Sequence, residues 1–194
     1  MARGRKRKPG KRTACGKLSA EESRREAMAT VLEARQRHFG VTAAQARDQR
    51  LCSALGRLAF TGAITQEQYE AGQKFGEVYH RHHVVTGMPL PSPSSVSGLM
   101  AASGHYAGSG EPASTELIER VRRRYDEALQ VLARCDQVRS RLPGRPPSGL
   151  VYRLACLDED AGSLPQADLA SLCHGLDELG ELFGLVREDS RKIL

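Results

Sequence analysis

The sequence has no tryptophan and no long apolar run. A membrane-spanning helix needs roughly 18 consecutive apolar residues, and the basic N-terminus lacks the apolar stretch of a signal peptide. The five cysteines are odd in number, widely spaced and never arranged as Cys-x-x-Cys, a pattern typical of free thiols in a reducing compartment. These absences predict a soluble cytoplasmic protein with no membrane partner.

Sequence signatures of enzymes are also missing. There is no G-x-S-x-G, no Gly-rich phosphate loop ending in Lys-Ser or Lys-Thr, and no H-E-x-x-H. We therefore predict that the protein is not an enzyme and has no catalytic residue, cofactor or metal site. His80-Arg81-His82-His83 and Asp158-Glu159-Asp160 offer metal-binding alternatives, but a polar helix end and an acidic turn are the favoured interpretations.

Positive charge is concentrated at the N-terminus. The first 17 residues hold eight basic residues and no acidic one, whereas the other 177 hold 21 basic and 23 acidic residues. Glycine and proline within this segment oppose helix, so we expect a disordered tail that neutralises phosphates of DNA or nascent RNA. A solvated terminus and a localisation signal are the alternatives. The predicted phosphate contacts are Arg3, Arg5, Lys6, Arg7, Lys8, Lys11, Arg12 and Lys17.

Helix signals recur along the rest of the chain. Capping boxes, in which Ser or Thr precedes Glu or Gln by three residues, begin at Ser19, Thr42, Thr65 and Ser163. Together with apolar periodicity and Gly or Pro breaks they predict an all-α fold built as a small helical bundle. The expected helices are 20–38, 43–60, 66–85, 115–137, 148–157 and 166–185. The expected apolar faces are Leu117, Val121, Tyr125, Ala128, Leu129 and Leu132 in the fourth helix, and Leu169, Leu172, Cys173, Leu176, Leu179 and Phe183 in the last.

Composition also suggests the domain organisation. The stretch 87–110 contains no Lys, Arg, Asp or Glu and is rich in Pro, Ser, Gly and Ala, which predicts a linker or long loop. Residues 148–194 hold nine acids and four bases, which favours a protein partner over nucleic acid there. The predicted parts are a flexible basic tail (1–17), an N-terminal three-helix region (18–87), a linker or long loop (88–113), a C-terminal helical region (114–187) and a C-terminal tail (188–194).

Two further segments are weaker candidates for nucleic-acid contact. Arg122, Arg123 and Arg124 form a candidate second basic patch, for which a solvated helix face is an equally good interpretation. The helices 43–60 and 66–85 have helix-turn-helix proportions. The second of them, however, would expose the carboxylates of Glu67, Glu70 and Glu77, so an ordinary αα-hairpin is favoured.

Three segments together resemble a known family. They are Gln68-Tyr-Glu-Ala-Gly-Gln-Lys-Phe75, the Arg-x-x-Tyr-Asp-x-Ala-Leu run from Arg122 to Leu129, and the L-x-x-G-L-x-x-L-x-x-x-F-G-L run from Leu172 to Leu185. Over about residues 66–186 the chain is similar to alphaproteobacterial phage-type transcription regulators, which include activators of gene transfer agents. The resemblance implies control of late phage-like genes through host RNA polymerase, by antitermination, with a co-activator protein as a further candidate partner. No functional residue can be carried over from it.

The leading hypothesis is therefore a transcription regulator that works at the bacterial nucleoid, with a basic tail on DNA or nascent RNA and a helical body on polymerase. A DNA-packaging protein resembling a small terminase subunit is the first alternative. A helix-turn-helix operator binder is the second.

Overall fold

The structure is a computed structural model that describes residues 11–17, 20–88, 90 and 114–185. These residues form helices and no β-strand, which confirms the all-α prediction. The chain divides into two compact units, Met1–Leu51 and Cys52–Leu194. The helices are α1 (Ala20–Phe39), α2 (Ala54–Phe60), α3 (Gln66–Thr86), α4 (Thr115–Arg139), α5 (Pro147–Val151) and α6 (Gln166–Leu182), and a π-helical turn, Tyr152–Cys156, continues α5.

The first unit contains α1, one short 3₁₀ turn and most of a second one. The helix ends at Gly40, as the sequence predicts, because φ there is +63°, a left-handed conformation that glycine adopts without strain. From α1, the Arg35 guanidinium donates a hydrogen bond of 3.0 Å to the carbonyl oxygen of Ala46. The 3₁₀ turns are Gln45–Arg47 and Gln49–Cys52.

The prediction of one helix over 43–60 is wrong in its first part. The Thr42 capping box forms, since the backbone N–H of Thr42 donates to the Gln45 amide oxygen at 2.9 Å, but only a 3₁₀ turn follows it. The backbone is extended at Asp48, where ψ is 124°, and the Asp48 carboxylate accepts a hydrogen bond of 2.9 Å from the backbone N–H of Arg50. Such a local side-chain bond competes with helix. A new N-cap, Ser53, starts α2, with its hydroxyl accepting from the Gly56 N–H at 3.1 Å.

The core of the second unit lies where α3, α4 and α6 pack on one another. The largest fully buried side chains there include Phe75 of α3, Leu132 of α4, and Leu172, Leu176 and Leu179 of α6. Burying each such side chain contributes about 1.5–3 kcal/mol. The helix α5 packs against α4 and α6, and α2 packs against α3 and the π-helical turn.

The predicted apolar face of α4 needs one correction. Leu129 is 40% exposed, whereas Val131 and Cys135 are buried. The buried stripe follows Val121, Ala128, Leu132 and Cys135, at spacings of seven, four and three residues, and Leu129 lies about 100° around the helix from Ala128. The predicted stripe of α6 is confirmed at Leu172, Leu176 and Leu179.

Helix ends follow the sequence signals in one case and depart from them in another. At α3 the capping box of Thr65 and Gln68 forms in both directions, and Gly87, with φ +69°, ends the helix as predicted. At α6 the predicted Ser163 box is wrong, because Pro165 is the N-cap and no side chain caps it. Proline fixes φ near the value that the start of a helix needs, so the chain enters α6 without the serine. The Ser19 box lies outside the described residues, as do residues 89 and 91–113 of the linker or long loop predicted at 88–113.

The acidic turn after the π-helix ties the chain back to α2. Asp158 has a left-handed φ of 50°, and its carboxylate accepts a hydrogen bond of 2.6 Å from the backbone N–H of Ala54. Two residues later, Asp160 pairs with the Arg57 guanidinium at 2.8 Å. Residues 158–160 thus form an acidic turn, as the sequence interpretation favoured. The turn also has a structural role, because it caps α2 although it lies far from α2 in the sequence.

Glycine allows close approaches between elements of the core at Gly76 and Gly175. A Cβ on Gly76 of α3 would lie 2.8 Å from the carbonyl oxygen of Ala155 in the π-helical turn. On α6, a Cβ on Gly175 would meet Pro147 at 3.1 Å and Val151 at 3.2 Å. Because the first of these neighbours is a backbone atom, α3 cannot keep its position with any larger residue at 76.

We expect Gly76→Ala to destabilise the second unit by about 1–3 kcal/mol, even though alanine favours helix over glycine by about 1 kcal/mol. Urea denaturation followed by circular dichroism measures this change. The matched control is Gly149→Ala in α5, where an added Cβ meets nothing within 4 Å and stability should stay equal or rise slightly. A Gly76→Ala protein as stable as the wild type would contradict this packing.

Candidate nucleic-acid interface

The described part of the basic tail is a closed turn. The backbone N–H of Thr13 donates to the Lys17 carbonyl and that of Gly16 donates to the Thr13 carbonyl, both at 2.8 Å. The Arg12 guanidinium donates to the Gly16 carbonyl at 2.7 Å. Residues 11–17 are all exposed, so the predicted contacts Lys11, Arg12 and Lys17 lie on the surface. The predicted contacts Arg3, Arg5, Lys6, Arg7 and Lys8 lie outside the described residues.

Cys15 lies at the tip of this turn and was not singled out by the sequence. The Thr13 hydroxyl oxygen lies 3.1 Å from the Cys15 sulfur, and this contact, together with a backbone hydrogen bond from Lys17, lowers the pKa of the thiol. The sequence signal for a lowered thiol pKa here is a hydroxyl residue two positions from a cysteine among basic residues. This pattern is too common to single out a cysteine.

Arg122, Arg123 and Arg124 are exposed on α4 but do not share one environment. Arg122 and Arg123 line a shallow surface depression together with Glu119, Asp126 and Glu127. Arg124 points elsewhere, with its guanidinium carbon 5.9 Å from the centre of the Phe183 ring. The depression has mixed charge, and contact of these arginines with nucleic acid stays a prediction.

The outer face of α3 carries the carboxylates that the sequence predicts. Glu67, Glu70 and Glu77 are exposed, whereas Phe75 and Tyr79 on the opposite side are buried. The preceding helix, α2, has only seven residues. A helix that enters the major groove needs donors for base edges and phosphates, and three carboxylates on its face oppose this. The αα-hairpin interpretation therefore agrees with the geometry better than the helix-turn-helix one.

At the end of α3, His82 and His83 are buried, each 9% exposed, and His80 is half-buried, so this polar helix end is packed against the fold. The reason is that this end of α3 packs on α4: the His82 ring stacks on Tyr125 with centroids 4.4 Å apart. His83 Nδ1 lies 3.0 Å from the carbonyl oxygen of Tyr79, whose hydroxyl lies 3.2 Å from that of Tyr152.

Burial has a clear electrostatic effect on this cluster. The Nδ1 atoms of His80 and His82 are buried and have no hydrogen-bond partner among the described residues. Desolvation lowers the pKa of both histidines, with the nearby His83 as a second cause. Desolvation also raises the pKa of Tyr79 far above its usual value. No group of three or more His, Cys, Asp or Glu within the described ranges has the geometry to hold a metal ion.

Comparisons with known proteins give no family to which the chain can be assigned. No family model, no curated protein and no solved structure matches it. None of the helices in the described ranges combines the length and apolar character needed to cross a lipid bilayer.

We expect the stability of the second unit to fall as pH drops below neutrality. The pKa values of His80 and His82 are lowered in the folded state. Below the histidine pKa of the unfolded chain, about 6.5, the unfolded chain therefore binds more protons than the folded protein does. Stability is fully present above that pH and is lost as pH falls through the lower folded-state pKa. Asp168 contributes in another window, below about pH 4, since its pKa is lowered as well.

Thermal melts between pH 7.5 and 5 measure this loss, and the double variant His80→Gln/His82→Gln should show a smaller decrease than the wild type. The control is His38→Gln, a substitution of an exposed histidine on α1. Equal pH dependence in the wild type and the double variant would show that these two imidazoles do not cause it.

Proposed function

We propose that this protein is a phage-derived transcription regulator that acts on host RNA polymerase as an antitermination factor, with its basic tail on DNA or nascent RNA. The observation that carries the proposal is the separation of charge. Eight cations and no anion occupy the first 17 residues, while the remaining chain is close to neutral. Dense cationic segments of this kind bind phosphates by releasing counterions.

The acidic outer face of α3 favours an indirect route to the target. Phosphate contacts position a protein on nucleic acid, but base contacts specify the sequence. The exposed face of α3, which would be the recognition helix of a helix-turn-helix, carries Glu67, Glu70 and Glu77 in place of the donors that base edges require. A protein partner would then select the site of action. RNA polymerase is the proposed partner, because a factor that binds phosphates without reading bases can be brought to its target by the polymerase.

The resemblance to activators of gene transfer agents supports the same proposal. Its three segments belong to α3, α4 and α6, which pack on one another in the second unit. Residues of those segments, among them Gly72, Phe75, Ala128 and Leu176, lie in the core. The resemblance therefore concerns how the bundle is built, and the function follows from it only by analogy.

The phosphate-binding role of the tail predicts a steep salt dependence. With about five phosphates neutralised, log affinity for a labelled 20-mer should fall with log salt concentration at a slope of about −4 to −5. Replacing Lys6, Arg7 and Lys8 by glutamine should reduce the size of the slope by about 2–3. Fluorescence anisotropy over a salt series measures both values.

A control variant with the same change in net charge replaces Arg24, Lys74 and Arg81 by glutamine, all outside the tail. Its slope should match that of the wild type. If both triple variants bind alike, general charge and not the tail governs binding, and the proposed role of the tail fails.

Antitermination predicts added read-through. In transcription by host polymerase across a terminator, the purified full-length protein should increase the longer product, and the tail variant should lose most of the increase. The assay is run with polymerase alone and with host extract to supply a co-activator. No increase in either condition would defeat the proposal, and a ring-shaped oligomer that binds DNA without affecting transcription would favour the packaging alternative.

A further inference from the structure

A second group of basic side chains lies on the folded body, between α4 and α5. Residues 138–148 contain three arginines and no acidic residue. We call Arg139, Arg141 and Arg145 the arginine rim. Residues 140–146 are all exposed, and the Arg145 side chain is 45% exposed even though it forms an ion pair. The rim is separate in sequence from both the basic tail and the run at 122–124.

Two members of the rim are held by the same helix. The Nε of Arg139 donates to the Ser171 hydroxyl oxygen at 3.0 Å. Arg145 donates twice to the Asp168 carboxylate, from its backbone N–H at 2.7 Å and from Nε at 2.8 Å. Asp168 and Ser171 are three residues apart on α6 and therefore neighbours on its surface. The two side chains are thus anchored to α6 within one helical turn of each other.

The backbone that carries the rim is fixed as well. Gly144 has φ +112°, and a Cβ there would come within 2.9 Å of the Ala167 carbonyl oxygen, so the chain lies directly on the first turn of α6. At the other end, Ser148 donates from its backbone N–H to Asp136 at 2.9 Å and from its hydroxyl to the same carboxylate. Few side chains or backbone torsions need to be ordered when a ligand binds, which lowers the entropic cost of binding.

The rim keeps a positive charge in spite of its acidic neighbour. Asp168 is the one carboxylate bonded to it in the described ranges, and its side chain is 8% exposed. The backbone hydrogen bond from Arg145 is the main cause that lowers the pKa of Asp168, so the carboxylate stays ionised near neutrality. Three arginines against Asp168 and Asp136, the carboxylate bonded to Ser148, leave a net charge of +1. The N-terminal end of α6, which no side chain caps, adds the positive end of the helix dipole on the same side.

We propose that the arginine rim binds the sugar-phosphate backbone of nucleic acid, as a contact site on the folded body distinct from the tail. Guanidinium groups suit this role because their planar donors match phosphate oxygens in pairs. The choice of nucleic acid over an acidic protein segment rests on the proposed function, since the tail has the same sign of charge. A polyanion long enough to reach both sites gains affinity from two linked contacts.

The test compares full-length variants in anisotropy with a labelled 20-mer, as duplex DNA and as single-stranded RNA. At about 0.1 M salt, Arg139→Gln/Arg141→Gln should weaken binding about five- to tenfold and reduce the size of the salt slope by about two. Arg145 is left in place because its pair with Asp168 holds the connection on α6. The matched control is Arg24→Gln/Arg81→Gln, which removes the same charge elsewhere and should leave both quantities unchanged.

Three results would overturn the proposal. The first is binding by the Arg139→Gln/Arg141→Gln protein equal to that of the control. The second is weaker binding that comes from misfolding. It would be shown by a lowered Tm of the double variant together with normal binding by the single variant Arg141→Gln, which changes a side chain exposed on the turn. The third comes from competition against the labelled 20-mer. It is the result that poly-glutamate, at equal charge concentration, displaces the 20-mer as well as unlabelled nucleic acid does, and that the wild type then binds the 20-mer no better than the double variant.

The tail variant, with Lys6, Arg7 and Lys8 replaced by glutamine, is measured in parallel to separate the two proposals. If it alone weakens binding, the role of the tail stands and the rim proposal fails. If the rim variant alone weakens binding, the rim is the binding site and the proposed role of the tail fails.

Discussion

The close contact between α3 and the π-helical turn is the constraint on which the second unit depends. At Gly76 the helix approaches the Ala155 carbonyl so closely that no side chain fits between them. This approach brings Phe75 into the core beside Leu132 of α4 and Leu176 of α6. The same approach carries the end of α3 onto Tyr125, where it buries His82. The close packing at Gly76 and the burial of His82 thus lie within two turns of each other on one helix.

Much of this fold could be predicted from local signals. The start of α3 at Thr65 and its end at Gly87, like the end of α1 at Gly40, depend on residues within one turn of the boundary. Such signals act through neighbours in the sequence, so a pattern is enough to find them. The buried leucines of α6 follow in the same way from helical periodicity.

What the sequence could not predict depends on contacts between distant residues. The start of α2 at Ala54 needs Asp158, more than 100 residues away, as well as the local cap Ser53. The burial of His82 needs Tyr125 of α4, and no pattern within His80-Arg81-His82-His83 indicates it. The candidate interface shows the same division. Charge counting finds the basic tail at once, whereas the arginine rim becomes visible only when Ser171 and Asp168 are known to hold Arg139 and Arg145.

The acidic residues of the C-terminal part show how a fold changes the meaning of a charge count. Counted along the sequence, residues 148–194 have nine acids and four bases and should repel nucleic acid. In the structure Asp158 caps α2, Asp160 pairs with Arg57 and Asp168 pairs with Arg145. A carboxylate that is paired or bonded to a backbone N–H adds far less to the external field than a free one, since its charge is already balanced locally. The end of the bundle that carries α6 is therefore less negative toward a partner than its composition implies, and this is the condition under which a polyanion can approach the arginine rim beside it.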